Sequence, residues 1–225
     1  MQQQNNSLKN GKQRGRFITV EGVEGGGKSS NIQYIADFLA QHKIDCVITR
    51  EPGGTTVAEA IRAVVLDKRL PNMHPDTELL LMFAARAEHL QKKILPALHA
   101  GQWVISDRFT DATYAYQGGG RGINTTRIAA LERWTQGEVQ PDLTLLLDLD
   151  VEVGLQRTRQ RGEVDRFEEE TVAFFQRIRQ HYLQRAKCYP ERYRVINAAQ
   201  PLMQVQQQLN QTLAQYFACT QMQTG

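Results

Sequence analysis

Five short apolar runs recur along the chain, and stretches with helical spacing separate them. The runs cover residues 17–20, 46–49, 103–106, 143–149 and 194–196. Short apolar runs bounded by turn residues are typical of buried strands, and strands that alternate with helices favour a parallel sheet. We therefore predict an α/β fold with a five-stranded parallel sheet and helices on both faces. Ligands of such sheets bind at the carboxyl ends of the strands, so chemistry is expected directly after each run.

One of the predicted helices carries an arginine on its apolar face. The helix is expected over residues 76–95, where Leu79, Met82, Arg86 and His89 share one face at helical spacing. Most of this face is expected to pack in the core. A guanidinium in such a setting should be paired or should face a ligand.

The length and the distribution of charge indicate one domain with a polar extension at each end. We expect a disordered leader over residues 1–15, a single domain over 16–217 closed by a helix over 201–217, and a frayed tail over 218–225. The formal charge of +3 comes from the leader, because the first 16 residues hold four basic residues and no acid. The remainder carries 23 basic and 24 acidic residues, so its charge gives no basis for a nucleic-acid partner.

The sequence also bears on membranes and compartment. No run of about 18 apolar residues is present, so no helical membrane span is expected. The first residues lack an apolar signal core, and Cys46, Cys188 and Cys219 form no metal or disulfide pattern. These features predict a cytoplasmic protein.

A phosphate-binding loop follows the first apolar run. The segment GVEGGGKS matches the pattern G-x-x-x-x-G-K-[ST], and it lies between a predicted strand and a predicted helix. Backbone N–H groups of such a loop wrap a polyphosphate, the lysine reaches the β- and γ-phosphates, and the hydroxyl holds Mg²⁺. The nucleotide-binding residues predicted here are Gly22, Val23, Glu24, Gly25, Gly26, Gly27, Lys28, Ser29 and Ser30, and Ser29 is a predicted magnesium ligand.

The ends of the second and third runs carry further charged groups. Arg50, in the segment TREPGG, could clamp an anion, although a solvated arginine in a plain loop is the alternative when it is taken alone. The Glu51-Pro52 bond in that turn is a candidate for the cis form. Asp107 resembles a carboxylate that acts on Mg²⁺ beside a phosphate loop, and Arg108 adds a second basic group at the same edge.

Two later segments are suited to binding a nucleotide acceptor and to closing over it. The run TDATYAYQ over 110–117 offers hydroxyls, an amide and aromatic rings for a polar base. The glycines over 118–122 are expected to need unusual backbone angles or mobility. The arginine-rich stretch over 154–168, which includes Arg157 and Arg161, is interpreted as a short lid, with a solvated charged helix as the alternative.

The arginines favour a phosphate as the group that accepts the phosphoryl. A hydroxyl acceptor needs a general base, whereas a monophosphate is already a nucleophile at neutral pH and needs cations to hold it. This reasoning favours a nucleoside monophosphate kinase. Two alternatives stay open: a deoxynucleoside kinase with Glu51 or Asp107 as base, and a P-loop module that binds nucleotide without turnover.

From about residue 16 to 217 the chain resembles the bacterial thymidylate kinase family. The resemblance rests on the ordered motifs EGVEGGGKS, TREPGG, LLMFAAR, SDRFTDATYAYQGGGRG, PDLTLLLD and RGEVDRFE. It implies a P-loop NTPase fold and the reaction ATP + dTMP → ADP + dTDP with Mg²⁺. It also implies a homodimer that pairs helices across a two-fold axis.

The resemblance assigns roles to matching positions of this chain. Glu24 is expected near the sugar 3′-hydroxyl of dTMP, and Tyr116 against the deoxyribose, where it disfavours a 2′-hydroxyl. Arg86 is expected to face the thymine carbonyl. The remaining implied roles are phosphate binding by Arg50 and Arg108, base contacts from Thr113 and Gln117, and a catalytic guanidinium from the lid residue Arg161. The phosphate loop, the strand ends and the arginine cluster give the other site predictions: catalysis by Lys28, Asp107 and Arg108, magnesium binding by Ser29 and Asp107, and nucleotide binding by Arg157.

The chain departs from the family pattern at two positions. Met82 stands where a phenylalanine usually stacks on thymine, so the base contact falls either to Met82 or to the adjacent Phe83. Asn197 stands where an aspartate is common.

Overall fold

The centre of the protein is a parallel sheet of five strands. The computed structural model describes residues 13–160, 166, 167 and 169–222. The strand order is β2-β3-β1-β4-β5, and every neighbouring pair is parallel. The predicted sheet is confirmed, with each boundary within one residue of the expected one. The strands are β1 Phe17–Glu21, β2 Cys46–Arg50, β3 Trp103–Asp107, β4 Leu143–Asp148 and β5 Tyr193–Asn197.

Helices flank the sheet and connect its strands. The α-helices are α1 Lys28–Gln41, α2 Thr56–Leu66, α3 Pro75–His89, α4 Leu95–His99, α5 Thr110–Thr113, α6 Thr125–Gln136, α7 Val151–Arg159, α8 Val172–Cys188 and α9 Leu202–Met222. Two π-helical segments, Leu90–Ile94 and Tyr114–Gly120, continue α3 and α5. The helix expected over 76–95 therefore begins at Pro75 and runs on without a break to His99. None of the helices in the described part of the chain is both long and apolar enough to cross a bilayer.

The core lies between the sheet and its helices. All five residues of β1 are buried, as expected for the central strand of a parallel sheet. Ile18 and Val20 of β1 share one apolar cluster with Ile35 and Leu39 of α1. Because α1 is fixed to β1 in this way, the loop between them is held at the carboxyl edge of the sheet.

Both ends of the folded region extend beyond the limits expected from the sequence. The N–H of Gly15 donates to the Leu98 carbonyl at 2.9 Å, and Arg14 pairs with Asp142 at 3.0 Å. The contacts of these two residues place the start of the domain before residue 16. Helix α9 continues to Met222, five residues past the predicted end at 217. Residues 1–12 and 223–225, which belong to the predicted leader and tail, lie outside the described residues.

The expectation for the glycine-rich segment after 117 is wrong for its first three residues. Gly118, Gly119 and Gly120 are buried in the π-helical segment, and only Gly122 has a left-handed φ, of 75°. They allow close packing. A Cβ at Gly120 would lie 2.5 Å from Cε2 of Phe174, and one at Gly119 would lie 2.5 Å from Cδ2 of His181. Glycine is needed at positions 119 and 120 because α8 approaches the backbone there too closely for a side chain.

Replacing Gly120 by alanine tests this packing. We expect Gly120→Ala to lower the free energy of unfolding by about 1–3 kcal/mol, because the Phe174 ring is buried and cannot move aside freely. The matched control is Gly118→Ala, whose Cβ would meet the flexible end of Ile128 at 3.3 Å, and we expect it to lose less. Urea denaturation measures both changes. Equal losses for the two variants would contradict the packing explanation.

Candidate active site

A cavity of about 580 Å³ opens at the carboxyl ends of β1, β2 and β3. The register of the sheet brings these ends level, because Asp107 lies opposite both Val20 and Arg50. Most of the residues predicted from the sequence line this one cavity. They are Glu24, Gly25, Gly26, Gly27, Lys28, Ser29, Ser30, Arg50, Met82, Asp107, Arg108, Tyr116, Gln117 and Arg157.

The phosphate-loop motif forms a compact turn at one side of the cavity. Gly25 has a φ of 74°, and a Cβ there would collide with the backbone of Gly154, so both its conformation and its surroundings require glycine. Helix α1 begins at Lys28, and its N-terminal N–H groups face the loop. The Lys28 Nζ donates to the carbonyls of Gly22 and Val23, each at 3.3 Å. Burial and the nearby Arg108 lower the pKa of Lys28.

Arg108 joins the end of β3 to the phosphate loop. Its backbone adopts a left-handed φ of 71°, which is strained for a residue with a side chain. The Arg108 N–H donates to the Val20 carbonyl at 3.0 Å. Its Nη1 donates to the Gly22 carbonyl and its Nη2 to Oε2 of Glu24, both at 2.8 Å. This turn of the backbone directs the guanidinium back over the loop.

Glu24 is ionised and shared between two donors. Its Oε2 accepts from Arg108 and from the Tyr116 hydroxyl at 2.6 Å. Burial alone would favour the neutral acid, but the charges of Arg108 and Lys28 outweigh it, and the pKa of Glu24 is lowered. Burial raises the pKa of Tyr116, so its phenol keeps the proton that it donates. The Arg108 guanidinium also lies 4.8 Å from the centre of the Tyr116 ring.

A second ion pair lies beneath the cavity. Arg86 is 1% exposed; its Nε donates to Oε2 of Glu51 at 2.8 Å and its Nη2 to Oγ1 of Thr113 at 2.9 Å. The other oxygen of Glu51 bonds His89 at 3.0 Å. The buried Nη1 of Arg86 has no partner among the residues that the structure describes. Glu51 is therefore committed to Arg86 and His89, which disfavours it as a general base.

The two candidates for the base contact are separated by the structure. Met82 lines the cavity. Phe83 lies in a separate apolar cluster with Leu79 and Tyr114, and Arg86 covers its ring at 4.8 Å. The Glu51-Pro52 bond is cis, as the sequence suggested.

The groups predicted to hold a metal lie in the same cavity. Ser29 and Asp107 both line it, and the buried Oδ1 of Asp107 has no protein partner within the described ranges. A free carboxylate oxygen beside a hydroxyl is the donor set that Mg²⁺ takes next to phosphates, so the residues fit this ion. No group of three His, Cys, Asp or Glu residues that could hold a metal occurs among the described residues.

The structure describes only part of the predicted lid. Arg157 of α7 lines the cavity and donates from Nη1 to the Ala198 carbonyl at 3.0 Å. Arg161, predicted as a catalytic residue, lies outside the described residues, as do 162–165. Phe167, beyond that gap, lines the cavity and meets the Tyr116 ring edge-on at 5.7 Å between centres.

Comparison with known proteins identifies the family of this chain. A family model described as Thymidylate kinase matches residues 20–209. The chain belongs to the thymidylate kinase family. A thymidylate kinase of Ectopseudomonas mendocina (strain ymp) is 58% identical over 199 residues, which cover 88% of this chain and 95% of the relative. One from Nitrosospira multiformis is 52% identical over 205 residues, which cover 91% of this chain and 100% of the relative. A crystal structure of thymidylate kinase from Ehrlichia chaffeensis matches with a TM-score of 0.72 and 32% identity, covering 89% of this chain and 99% of that one.

This member of the thymidylate kinase family has a fourth arginine at the cavity, which was not predicted from its sequence. Arg62 of α2 lines the cavity and donates from Nη1 to the Pro52 carbonyl at 3.0 Å. Arg50 is half exposed, and its Nη2 forms an ion pair with Oε2 of Glu59 at 2.8 Å. The signal for Arg62 was a lone guanidinium inside an apolar helical run, the same signal that singled out Arg86.

We expect the buried ion pair of the thymidylate kinase site to contribute more to stability than the half-exposed pair, and one substitution in each pair tests this. We expect Glu51→Gln to lower the free energy of unfolding by about 3 kcal/mol, because it leaves the Arg86 guanidinium buried without a counter-charge. The matched control is Glu59→Gln, which breaks the half-exposed pair with Arg50 and should cost less than about 1 kcal/mol. Urea denaturation at pH 7 measures both, and similar losses would refute the difference.

Proposed function

We propose that this protein phosphorylates dTMP to dTDP with ATP as the phosphoryl donor. Membership of the thymidylate kinase family supports the reaction. The observation that carries it is one cavity with two chemically different sides. On one side is the phosphate loop with Lys28; on the other are three guanidiniums, those of Arg50, Arg62 and Arg108.

The charges in the cavity fit a phosphate acceptor better than a hydroxyl. A monophosphate is largely a dianion at neutral pH and attacks without losing a proton to the protein. It must be held against repulsion from ATP, and clustered guanidiniums do this. Glu51, one of the two bases available to a nucleoside kinase, is already bonded to Arg86 and His89. The alternatives of a deoxynucleoside kinase and of a non-catalytic module are therefore not favoured.

The donor side holds the triphosphate. In this proposal the backbone N–H groups of residues 22–30 wrap the phosphates of ATP, while Lys28 leaves its carbonyl partners to contact the β- and γ-phosphates. Arg157, which donates to the Ala198 carbonyl, adds a further cation. Ser29 and Asp107 would hold Mg²⁺, which neutralises charge on the phosphates when it is bound. The catalytic role of Arg161 stays a prediction from the family resemblance.

The acceptor side positions dTMP. Arg50, Arg62 and Arg108 bind its phosphate. The Nη1 of Arg86, with Thr113 behind it, is offered to the thymine carbonyl, and Gln117 contacts the same base. We assign the apolar contact with the base to Met82, since Phe83 packs in a separate cluster. Tyr116 and Glu24 flank the deoxyribose, with Glu24 toward the 3′-hydroxyl.

An assay of ADP release with dTMP and with thymidine tests the reaction, and an arginine variant tests the acceptor side. We expect turnover with dTMP and none above background with thymidine. Arg62→Met keeps the apolar part of the side chain and removes the charge. We expect it to raise the KM for dTMP about tenfold and to change the KM for ATP by less than about threefold, because a charged hydrogen bond to the acceptor phosphate is lost.

The control for this variant is Arg69→Met. Arg69 is exposed and pairs with the neighbouring Asp67 outside the cavity, so neither KM should change. Thymidine turnover above that with dTMP would reject the proposed reaction. An equal rise of both KM values in Arg62→Met would reject only the phosphate contact.

We further propose that the protein is a homodimer that pairs α2 and α3 across a two-fold axis. These helices pack on each other and expose apolar side chains, with Val57 at 53%, Val64 at 42% and Leu80 at 55%. Exposed apolar groups on neighbouring helices are typical of an interaction surface. A cytoplasmic location is part of the proposal, and the free thiols of Cys46 and Cys188 support it.

A charged substitution on α3 tests the dimer. Size-exclusion chromatography with light scattering should give about twice the chain mass of 25.6 kDa for the wild type. We expect Leu80→Glu to give monomers, because burying a carboxylate in an apolar interface is unfavourable. Met203→Glu on α9, where the side chain is 78% exposed, is the control and should stay dimeric. A dimeric Leu80→Glu would remove α3 from the interface.

A further inference from the structure

Glu78 of α3 is a fully buried carboxylate outside the contacts described so far. Its side chain is 0% exposed. Three donors converge on it, two from the π-helical segment and its end and one from residue 166. Oε1 accepts from Nε2 of Gln117 at 2.8 Å and from Nε of Arg121 at 3.2 Å, and Oε2 accepts from Nη2 of Arg166 at 2.6 Å.

This arrangement fixes which end of the Gln117 amide faces the cavity. An ionised carboxylate only accepts hydrogen bonds, so the amide must turn its nitrogen toward Glu78. Gln117 lines the cavity, and its buried Oε1 has no partner among the described residues. The oxygen of the amide, rather than its nitrogen, is therefore the atom left for a ligand.

An amide oxygen at this place distinguishes pyrimidine bases by the atom at position 3. Thymine and uracil carry a hydrogen on N3, which an amide oxygen accepts. Cytosine has a lone pair on N3, which an amide oxygen repels. We propose that Glu78 is a positioning residue that makes the site select a pyrimidine with a hydrogen on N3, by holding the Gln117 amide in this orientation. The inference rests on the proposed contact between Gln117 and the base.

Arg166, which bonds the other oxygen of Glu78, prevents the carboxylate from turning away from Gln117, while Arg121 donates to the same oxygen as Gln117. Arg166 is itself fixed, since its Nε donates to the Val65 carbonyl at 2.8 Å. Arg121 is held by Glu170 and lies 4.8 Å over the Phe174 ring. Both oxygens of Glu78 are thus in use, and a glutamine at this position could supply only one acceptor.

The test compares dUMP with dCMP, which differ at N3 and at the neighbouring substituent but not by the methyl group of thymine. In Glu78→Gln we expect the single oxygen to stay with the charged Arg166. The nitrogen of the side-chain amide introduced by Glu78→Gln then faces Gln117. The Gln117 amide must turn its oxygen toward that nitrogen, and it then offers its own nitrogen to the base. The ratio of kcat/KM for dUMP to that for dCMP should fall about tenfold, with the KM for ATP unchanged. The proposed contact of Arg86 is with the carbonyl of the base rather than with N3, and none of the variants alters it.

Two further variants separate this role from a structural one. Arg121→Lys removes an Nε donor from Glu78 but leaves its bond to Gln117, so the dUMP to dCMP ratio should match the wild type even if stability falls. Gln117→Leu removes the amide. If the dUMP to dCMP ratio of Gln117→Leu equals that of the wild type, the base contact in the proposed function is wrong. If Gln117→Leu changes the ratio but Glu78→Gln does not, the base contact holds and the role of Glu78 is overturned.

The proposal can also be tested if Glu78→Gln does not fold. Glu78→Asp keeps the charge for both arginines but withdraws the carboxylate by one methylene from Gln117. We expect the same fall in the ratio. A change of kcat/KM by one common factor for dUMP and dCMP would instead show a purely structural role, and it would overturn the proposal.

Discussion

The ion pair between Arg108 and Glu24 holds the two sides of the cleft together. Partly buried charges are favoured when they are paired, and this pair joins the end of β3 to the phosphate loop. The strained backbone of Arg108 makes this contact possible, since it turns the guanidinium toward Gly22 and Glu24. Tyr116 completes the pair from the π-helical segment. Three elements that are distant in sequence therefore share one electrostatic centre.

The same constraint recurs deeper in the molecule. Glu51 neutralises Arg86, and Glu78 neutralises Arg121 and Arg166. Each carboxylate also orients a group proposed to meet the base, either a guanidinium or the Gln117 amide. Hydrogen-bonded charges of this kind have few alternative arrangements, so the acceptor side is ordered before any ligand arrives.

The sequence predicted those features that local patterns encode. The strands were found because residues buried on both faces must be continuously apolar, and the phosphate loop because its glycines and Lys28 stand at fixed spacing. Glu78 was not found, because its role depends on neighbours brought close only by folding, whereas Arg62 carried the same local signal as Arg86. The expectation for Gly119 and Gly120 was wrong for the same reason that Glu78 was not found: the need for glycine at these two positions arises from His181 and Phe174 of α8, which no local pattern reveals.

The buried pair of Arg86 and Glu51 has an evolutionary consequence. In the proposed function Arg86 recognises a base, and it also balances the buried charge of Glu51. Its replacement is therefore constrained, because loss of the pair would expose the chain to proteolysis before any new substrate could be selected. Met82 also packs in the main apolar cluster, but it carries no charge that another side chain must balance. New base preferences in this lineage should therefore arise through changes at Met82, while Arg86 stays fixed across proteins that differ in the nucleotides they accept.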